Sequence, residues 1–334
     1  MRSQKIIATT LFLSSLIVGT AGADPLTIRN GWIVPVTNLA SILFAKAGIA
    51  KHNGQSYVME PVRFQGSTQM ITALATGELE IGLLAFSSLS LGIQNAGMDD
   101  LRIIADEIRD GAGDYYSHEF MVRTDSPIRT IEDLKGKVLA TNAIGAAVDI
   151  AMRAMLLKHG LGDKNSTTIV EGAFPNMKAM LIEGKVDLIP GVLPFSQDPE
   201  LRKSARTLFT EKDAMGPNEL AFLVARAGFI EKNRPAMVDF LEDYLRAVRF
   251  YTDPANHAEA VAIAARFSKL PPAVFENWLF TKKDYYRDPR GLPDLDALQS
   301  NVDLQQQLGF LKNKLAVKTY VDLSLVQEAA KRLD

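Results

Sequence analysis

From Asp24 onward, short β-rich runs alternate with stretches of helical periodicity. LTIRNGW (26–32) precedes a helical stretch over 37–52, and YVMEPVRF (57–64) precedes a helix over 67–76. LEIGLLA (79–85) leads into a helix over 87–96, and LRIIADEI follows. Such alternation predicts an open, largely parallel sheet with helices on both faces.

A second alternating block begins near Lys137: KVLATN, a helix over 145–159, TTIVEG, a helix from Asn176, VDLIPG, a helix over 199–205 and RTLFTE. It predicts a smaller α/β lobe. From about Gly228 the pattern is helical throughout, interrupted by Pro254, Pro271 and Pro289, and this tail is expected to pack on the first lobe.

The two blocks share a unit. Met70 aligns with Met177, Leu74 with Leu181, Gly77 with Gly184, Glu80 with Asp187 and Ile81 with Leu188, at a constant spacing of 107 residues (177 − 70). In each copy an amphipathic helix ends at a glycine, which suits a left-handed helix cap before the next strand. HEFMVRTD (118–125) and ELAFLVARA (219–227) are β-rich segments at the two ends of the second block, each carrying an Arg near its end. Two such passages between lobes would make a hinge.

Composition narrows the function. The 334 residues are 47% hydrophobic and 23% charged, with net charge −2, so the basic excess of a nucleic-acid binder is missing and a sizeable core is available. Arg2 and Lys5 precede the apolar run 6–18, and Ala21, Gly22 and Ala23 offer small residues for cleavage. Residues 1–23 therefore read as a secretory signal peptide, and removing Arg2 and Lys5 leaves 35 basic residues against 39 acidic. The run is too short and too broken by Thr9, Thr10, Ser14 and Ser15 to anchor the chain in a bilayer. The absence of cysteine removes both disulfides and a lipid attachment point, so a freely diffusing exported protein is expected.

With these features in view, FQGSTQMITALATGELEIG, FMVRTDSPIRTIEDLKGKVLATN, the following IGAAVD and the paired passages resemble the periplasmic solute-binding proteins of ABC importers, of the nitrate, sulfonate and taurine type. The similarity covers nearly all of the mature chain, with DSPIRTIEDLKGK (125–137) the most specific stretch, and the last third matches in helical character alone. The resemblance implies an α/β, two-lobed, type II Venus-flytrap fold with two crossing hinge strands. It divides the chain into signal peptide 1–23, a first lobe of 24–117 completed by the helical extension 227–334, and a second lobe of 118–226 with its flanking hinge strands. It also implies a periplasmic monomer that closes on a small organic anion, a sulfonate or aromatic carboxylate. The partners would be the membrane permease of an importer and its ATPase.

In such a fold the turns after the parallel strands face the ligand, and helix N-termini there hold anions through free N–H groups. The candidates in the first lobe are Trp32, Thr37 and Asn38 after the first strand, Gln65, Gly66, Ser67 and Thr68 after the second, and Phe86 and Ser87 after the third. In the second lobe they are Asn142, Ile144 and Gly145, then Phe174 and Asn176, with His118 near the first passage. Each also has a simpler role as a cap, loop or core residue. Arg109 and His118, near the first passage, could pair with a carboxylate or sulfonate, although an ordinary surface salt bridge is the commoner fate of such residues. The superfamily also contains thiamine-pyrimidine synthases, whose chemistry uses a histidine and a cysteine-rich motif. This chain has no cysteine, and His52, His118, His159 and His257 show no metal-ligand spacing. No catalysis, cofactor or metal is expected; a ligand-sensing partner of a signalling receptor is the other alternative.

Overall fold

The computed structural model describes residues 24–334 with the exception of Lys164 and the side chain of Thr68. The export segment 1–23 lies outside the described residues. The first lobe opens with β1 (Leu26–Trp32), β2 (Tyr57–Arg63), α1 (Ser67–Thr76), β3 (Gly82–Ala85), α2 (Phe86–Ala96) and β4 (Leu101–Asp110). The second contains β5 (Glu119–Arg123), β6 (Val138–Thr141), α3 (Ala147–Lys158), β7 (Thr168–Glu171), α4 (Met177–Ile182), β8 (Ile189–Gly191), α5 (Pro199–Ser204), β9 (Ala205–Thr210) and α6 (Glu211–Met215). The chain then returns through β10 (Asn218–Arg226) and continues as α7 (Ala227–Lys232), α8 (Arg234–Thr252), α9 (His257–Ser268), α10 (Leu295–Gln307) and α11 (Ser324–Leu333).

Both sheets have the same order. In the first, β1 pairs parallel with β2, a parallel bridge between Asn30 and Ile81 joins β1 to the β3 side, and β10 lies antiparallel between β3 and β4. In the second, β6 pairs parallel with β7, a bridge between Leu139 and Leu188 joins β6 to the β8 side, and β5 lies antiparallel between β8 and β9. The shared unit seen in the sequence is the repeated element of this plan. Met70 and Leu74 of α1 and Met177 and Leu181 of α4 are buried one turn apart, as a core-facing helix requires. Gly77 and Gly184 take left-handed φ of 75° and 69°, where a Cβ would be strained. Glu80 accepts the N–H of Arg29 (2.8 Å), and Asp187 likewise accepts that of Val138 (2.9 Å), so each acid pins the first parallel strand of its own sheet.

Side-chain alternation follows the pleat. Phe120 and Val122 of β5 enter one core of the second lobe and Met121 the other. The tail packs on the first lobe: Phe240, Leu241, Tyr244, Leu298, Leu325 and Val326 share a core with Ile28, Leu83 and Ile103. Among the described residues no helix is long and apolar enough to cross a membrane.

Three features differ from the sequence pattern. The helix expected over 37–52 is a 3-10 turn at Leu39–Ser41 followed by separate turns, closed by Ile42 to Leu39 and Ala45 to Ile42 bonds. Asn38 Oδ1 takes the N–H groups of Ile33 and Val34, and Ser41 Oγ takes that of Val36, so side chains compete with helical pairing. The tail is not helical throughout, because residues 275–294 lie along β4, with an antiparallel bridge between Arg109 and Tyr286 and an Asp106 N–H bond to Gly291. Finally, β5 and β10 lie within the sheets, and the chain passes between lobes just before them, through 111–118 and 211–217.

Asp243 of α8 fastens the β1–β2 connection from below. Its carboxylate accepts the N–H groups of Lys51 (2.7 Å) and His52 (2.8 Å) and the hydroxyl of Tyr57 (2.8 Å), and it pairs with Arg246 (2.5 Å). Replacing Asp243 with Ala strands these buried donors, and denaturant unfolding should show a loss of about 3 kcal/mol or more, against about 1 kcal/mol for Tyr57→Phe. A loss below 1 kcal/mol for Asp243→Ala would contradict this anchoring role.

Candidate functional site

The equivalent strand order brings the C-terminal ends of both sets of parallel strands toward the two crossings, since both crossings leave from the fourth parallel strand. At those ends Gly66, Ala85 and Ala146 hold the cap positions of α1, α2 and α3 and give no side-chain cap, although at α3 the Asp149 carboxylate takes the N–H of Gly145 just before the helix. Elsewhere α5, α6 and α10 are capped by Asp198, Thr210 and Asp294, while α4, α7, α8, α9 and α11 also start without a side-chain cap among the described residues. An uncapped helix start keeps donors available for another group.

The candidates from the sequence divide by environment. Trp32 ends β1, nearly buried, with Arg63 5.5 Å above its ring and Phe267 against its edge; its Nε1 has no partner among the described residues. Thr37 is buried, its Oγ1 without a partner among the described residues, while its carbonyl accepts from Arg287 (2.9 Å). Asn38 closes its own loop. Gln65 is exposed, with its N–H held by Gln69 (3.0 Å), and Gly66 and Ser67 are half-buried. Ser67 is the first residue of α1 rather than its cap, a position taken by Gly66. The Thr68 side chain is outside the described residues. Phe86 lies wholly in the first core, and Ser87 is buried with its carbonyl held by Gln305 (3.1 Å).

In the second lobe Asn142 keeps a buried Oδ1 without a partner among the described residues, and Ile144 is 59% exposed. Gly145 has φ 79° and lies against Phe310 of the first lobe, where a Cβ would come within 3.3 Å of the ring. Phe174 is half-buried between the two cores of its lobe, and Asn176 is exposed at the start of α4. The lobes meet at a seam that sequence reasoning did not find: Ala147 and Ile150 of α3 belong to the first lobe's core, and the Arg153 guanidinium stands 5.5 Å from the Phe310 ring. Tyr116 donates its hydroxyl hydrogen to Gly191 (2.8 Å), beside Ser196. A depression of about 350 Å³ lined by Arg123, Asp125 and Lys203 opens at the opposite end of the second sheet, near Gly184, and plays no part in the cleft.

Arg109 and His118 are bound internally. Arg109 faces Glu219 (3.1 Å), Asp106 (3.3 Å) and Asp288 (3.7 Å). His118 is the centre of a buried hub between the crossings: Nδ1 lies 2.7 Å from Glu211 and Nε2 2.6 Å from the Tyr285 hydroxyl. Its N–H donates to Asp110 (2.7 Å), and its carbonyl accepts from the Glu211 N–H (2.8 Å). Asp110, His118 and Glu211 have the residue types of a metal site, but these hydrogen bonds already join them.

Burial pushes Glu107 up to about 7, and burial with the nearby Glu211 charge takes Asp110 to about 7. Burial opposes the charge of His118, yet the Glu211 and Asp110 carboxylates outweigh it and raise the imidazole. All three hold a proton more tightly folded than unfolded. The stabilisation from the two acids is complete below their unfolded values of about 4 and is lost as pH rises through about 7, and that from the imidazole is complete below about 6.5 and is lost at higher pH. Melting temperature should therefore fall between pH 5.5 and pH 8, and Glu107→Gln should remove on the order of 2 kcal/mol of that dependence. A flat profile in wild type, or the same slope in Glu107→Gln, would contradict the assignment.

The arrangement has solved counterparts. The periplasmic aliphatic sulphonate binding protein SsuA of Escherichia coli superposes with TM-score 0.71 at 19% identity, over 90% of this chain and 99% of that one. The alkanesulfonate-binding protein SsuA of Xanthomonas axonopodis pv. citri bound to MOPS gives 0.70 at 21%, over 90% and 99%. The desulfurization enzyme DszB gives 0.65 at 15%, over 92% and 100%, so the fold is shared by binding proteins and an enzyme. No curated protein matches the chain in sequence. The two-lobed architecture is that of periplasmic binding proteins. Residues 21–265, well over half of the sequence, match the NMT1-like family, and the chain belongs to it.

Proposed function

We propose that this chain is an extracytoplasmic solute-binding protein that captures a small organic anion, of sulfonate or aromatic carboxylate type, between its lobes. It hands that anion to the permease and ATPase of an ABC importer. The observation that carries this reading is the uncapped starts of α1 and α2 at the cleft ends of parallel strands, where backbone donors and the helix dipole favour an anion. The sulfonates named for the two SsuA structures agree with such a ligand. The expected boundary at 226 moves, because β10 lies in the first sheet: residues 24–117 and 218–334 would form one lobe, and 118–217 the other. The chain would act as a periplasmic monomer after losing residues 1–23.

The reading is of binding without turnover. His118 is buried and both of its ring nitrogens are engaged, which leaves it no free nitrogen for proton transfer to a ligand.

Ser67 tests the anion site. An Asp at the first position of α1 suits the helix dipole, so Ser67→Asp should fold normally. Its charge would stand close to the bound anion, and like charges about 4 Å apart repel by about 4 kcal/mol at an effective dielectric near 20. Calorimetric titration with alkanesulfonates and aromatic carboxylates should show affinity reduced roughly a thousandfold, against a change of about 1 kcal/mol for Ser67→Ala. A folded Ser67→Asp protein that binds as tightly as wild type would remove α1 from the anion site.

A further inference from the structure

The start of α3 differs from those of α1 and α2, because a carboxylate already occupies it. Asp149, without exposed surface, accepts the Gly145 N–H (2.8 Å) and the Arg153 Nε–H (2.9 Å) through Oδ2. Its other oxygen, Oδ1, is buried and has no partner among the described residues. In the turn just before α3, Asn142 Oδ1 is also buried without a partner. The seam against the first lobe lies directly alongside, since Phe310 covers Gly145 and Arg153. Both open atoms are acceptors. A buried acceptor is rarely left dry, and this end of the cleft repels a second anion while it attracts an N–H or O–H group.

We propose that Asp149 is a specificity-determining residue: its free oxygen receives a hydrogen-bond donor on the ligand, so the solute is an organic anion that also carries an N–H or O–H group. The anionic end lies toward α1 and α2, and the donor end toward α3. This rests on the cleft being an anion site. Polar recognition of this kind discriminates strongly, because an analogue lacking the donor leaves the acceptor unpaired.

Titration calorimetry with two matched pairs tests it: ethanesulfonate against 2-aminoethanesulfonate, and benzoate against 4-aminobenzoate. Wild type should prefer the amino member of a pair it binds by roughly tenfold or more. Asp149→Asn keeps an acceptor for the Gly145 N–H and puts an amide donor in place of Oδ1, so the preference should vanish or invert, with melting curves checking the fold. Equal affinity within each bound pair in wild type overturns the proposal while leaving the anion reading intact, and so does an unchanged preference in Asp149→Asn. If no member of either pair binds wild type, the anion reading fails and the role of Asp149 falls with it. The wild-type comparison decides the matter even if Asp149→Asn does not fold.

Discussion

Each sheet is completed by a strand that runs against its four parallel neighbours, and the rest of the molecule follows from that insertion. Because β5 runs antiparallel between β8 and β9, the chain must enter the second sheet at the C-terminal ends of its parallel strands. Because β10 does the same between β3 and β4, the chain must return at the corresponding ends of the first. Both passages therefore leave from the same ends of the two sheets, where the turns after the parallel strands also lie. The passages are knit together by His118 and Glu211, with Tyr285 of the tail as the third member, so hinge and tail form one polar unit.

That unit sits in a region rich in buried acids. Asp106, Glu107, Asp110, Glu211 and Glu219 are all nearly inaccessible, while Arg287 and His118 are buried among them and Arg109 is half-buried. Burial and the neighbouring Asp106 hold Glu219 well above the usual carboxylate range, so protons supply part of the missing positive charge. The arrangement also engages two of the basic side chains of this region. Arg109 and Arg287 are already committed to internal carboxylates, which leaves helix starts and backbone donors for a bound anion.

Local signals were legible in the sequence, and contacts between distant segments were not. The bounds of α1 follow from its apolar spacing and the glycine at its end, and the repeat of Met70, Leu74 and Gly77 at Met177, Leu181 and Gly184 reveals the shared plan of the two lobes. The stretch after β1 has equally helical spacing, yet Asn38 and Ser41 redirect its N–H groups, and Glu107 on β4 takes the N–H of Leu39. Nothing near Leu39 in the sequence announces a partner 68 residues away. The same holds at the site: Gly145 was legible as a turn glycine, whereas Phe310, which packs on it, lies in the tail. His118 was legible as a polar residue at a passage, but its partner Glu211 stands 93 residues further on.

The central claim is that the lobes close about these two passages when a solute binds. The chain has no cysteine, so spin labels can be placed uniquely at Ala75→Cys on α1 and Ala179→Cys on α4, both exposed and in different lobes. Pulsed electron resonance on that pair, with and without a saturating sulfonate or aromatic carboxylate that calorimetry shows to bind, should give a shorter and narrower distance distribution in the bound protein. An identical distribution in both states would contradict closure on the ligand.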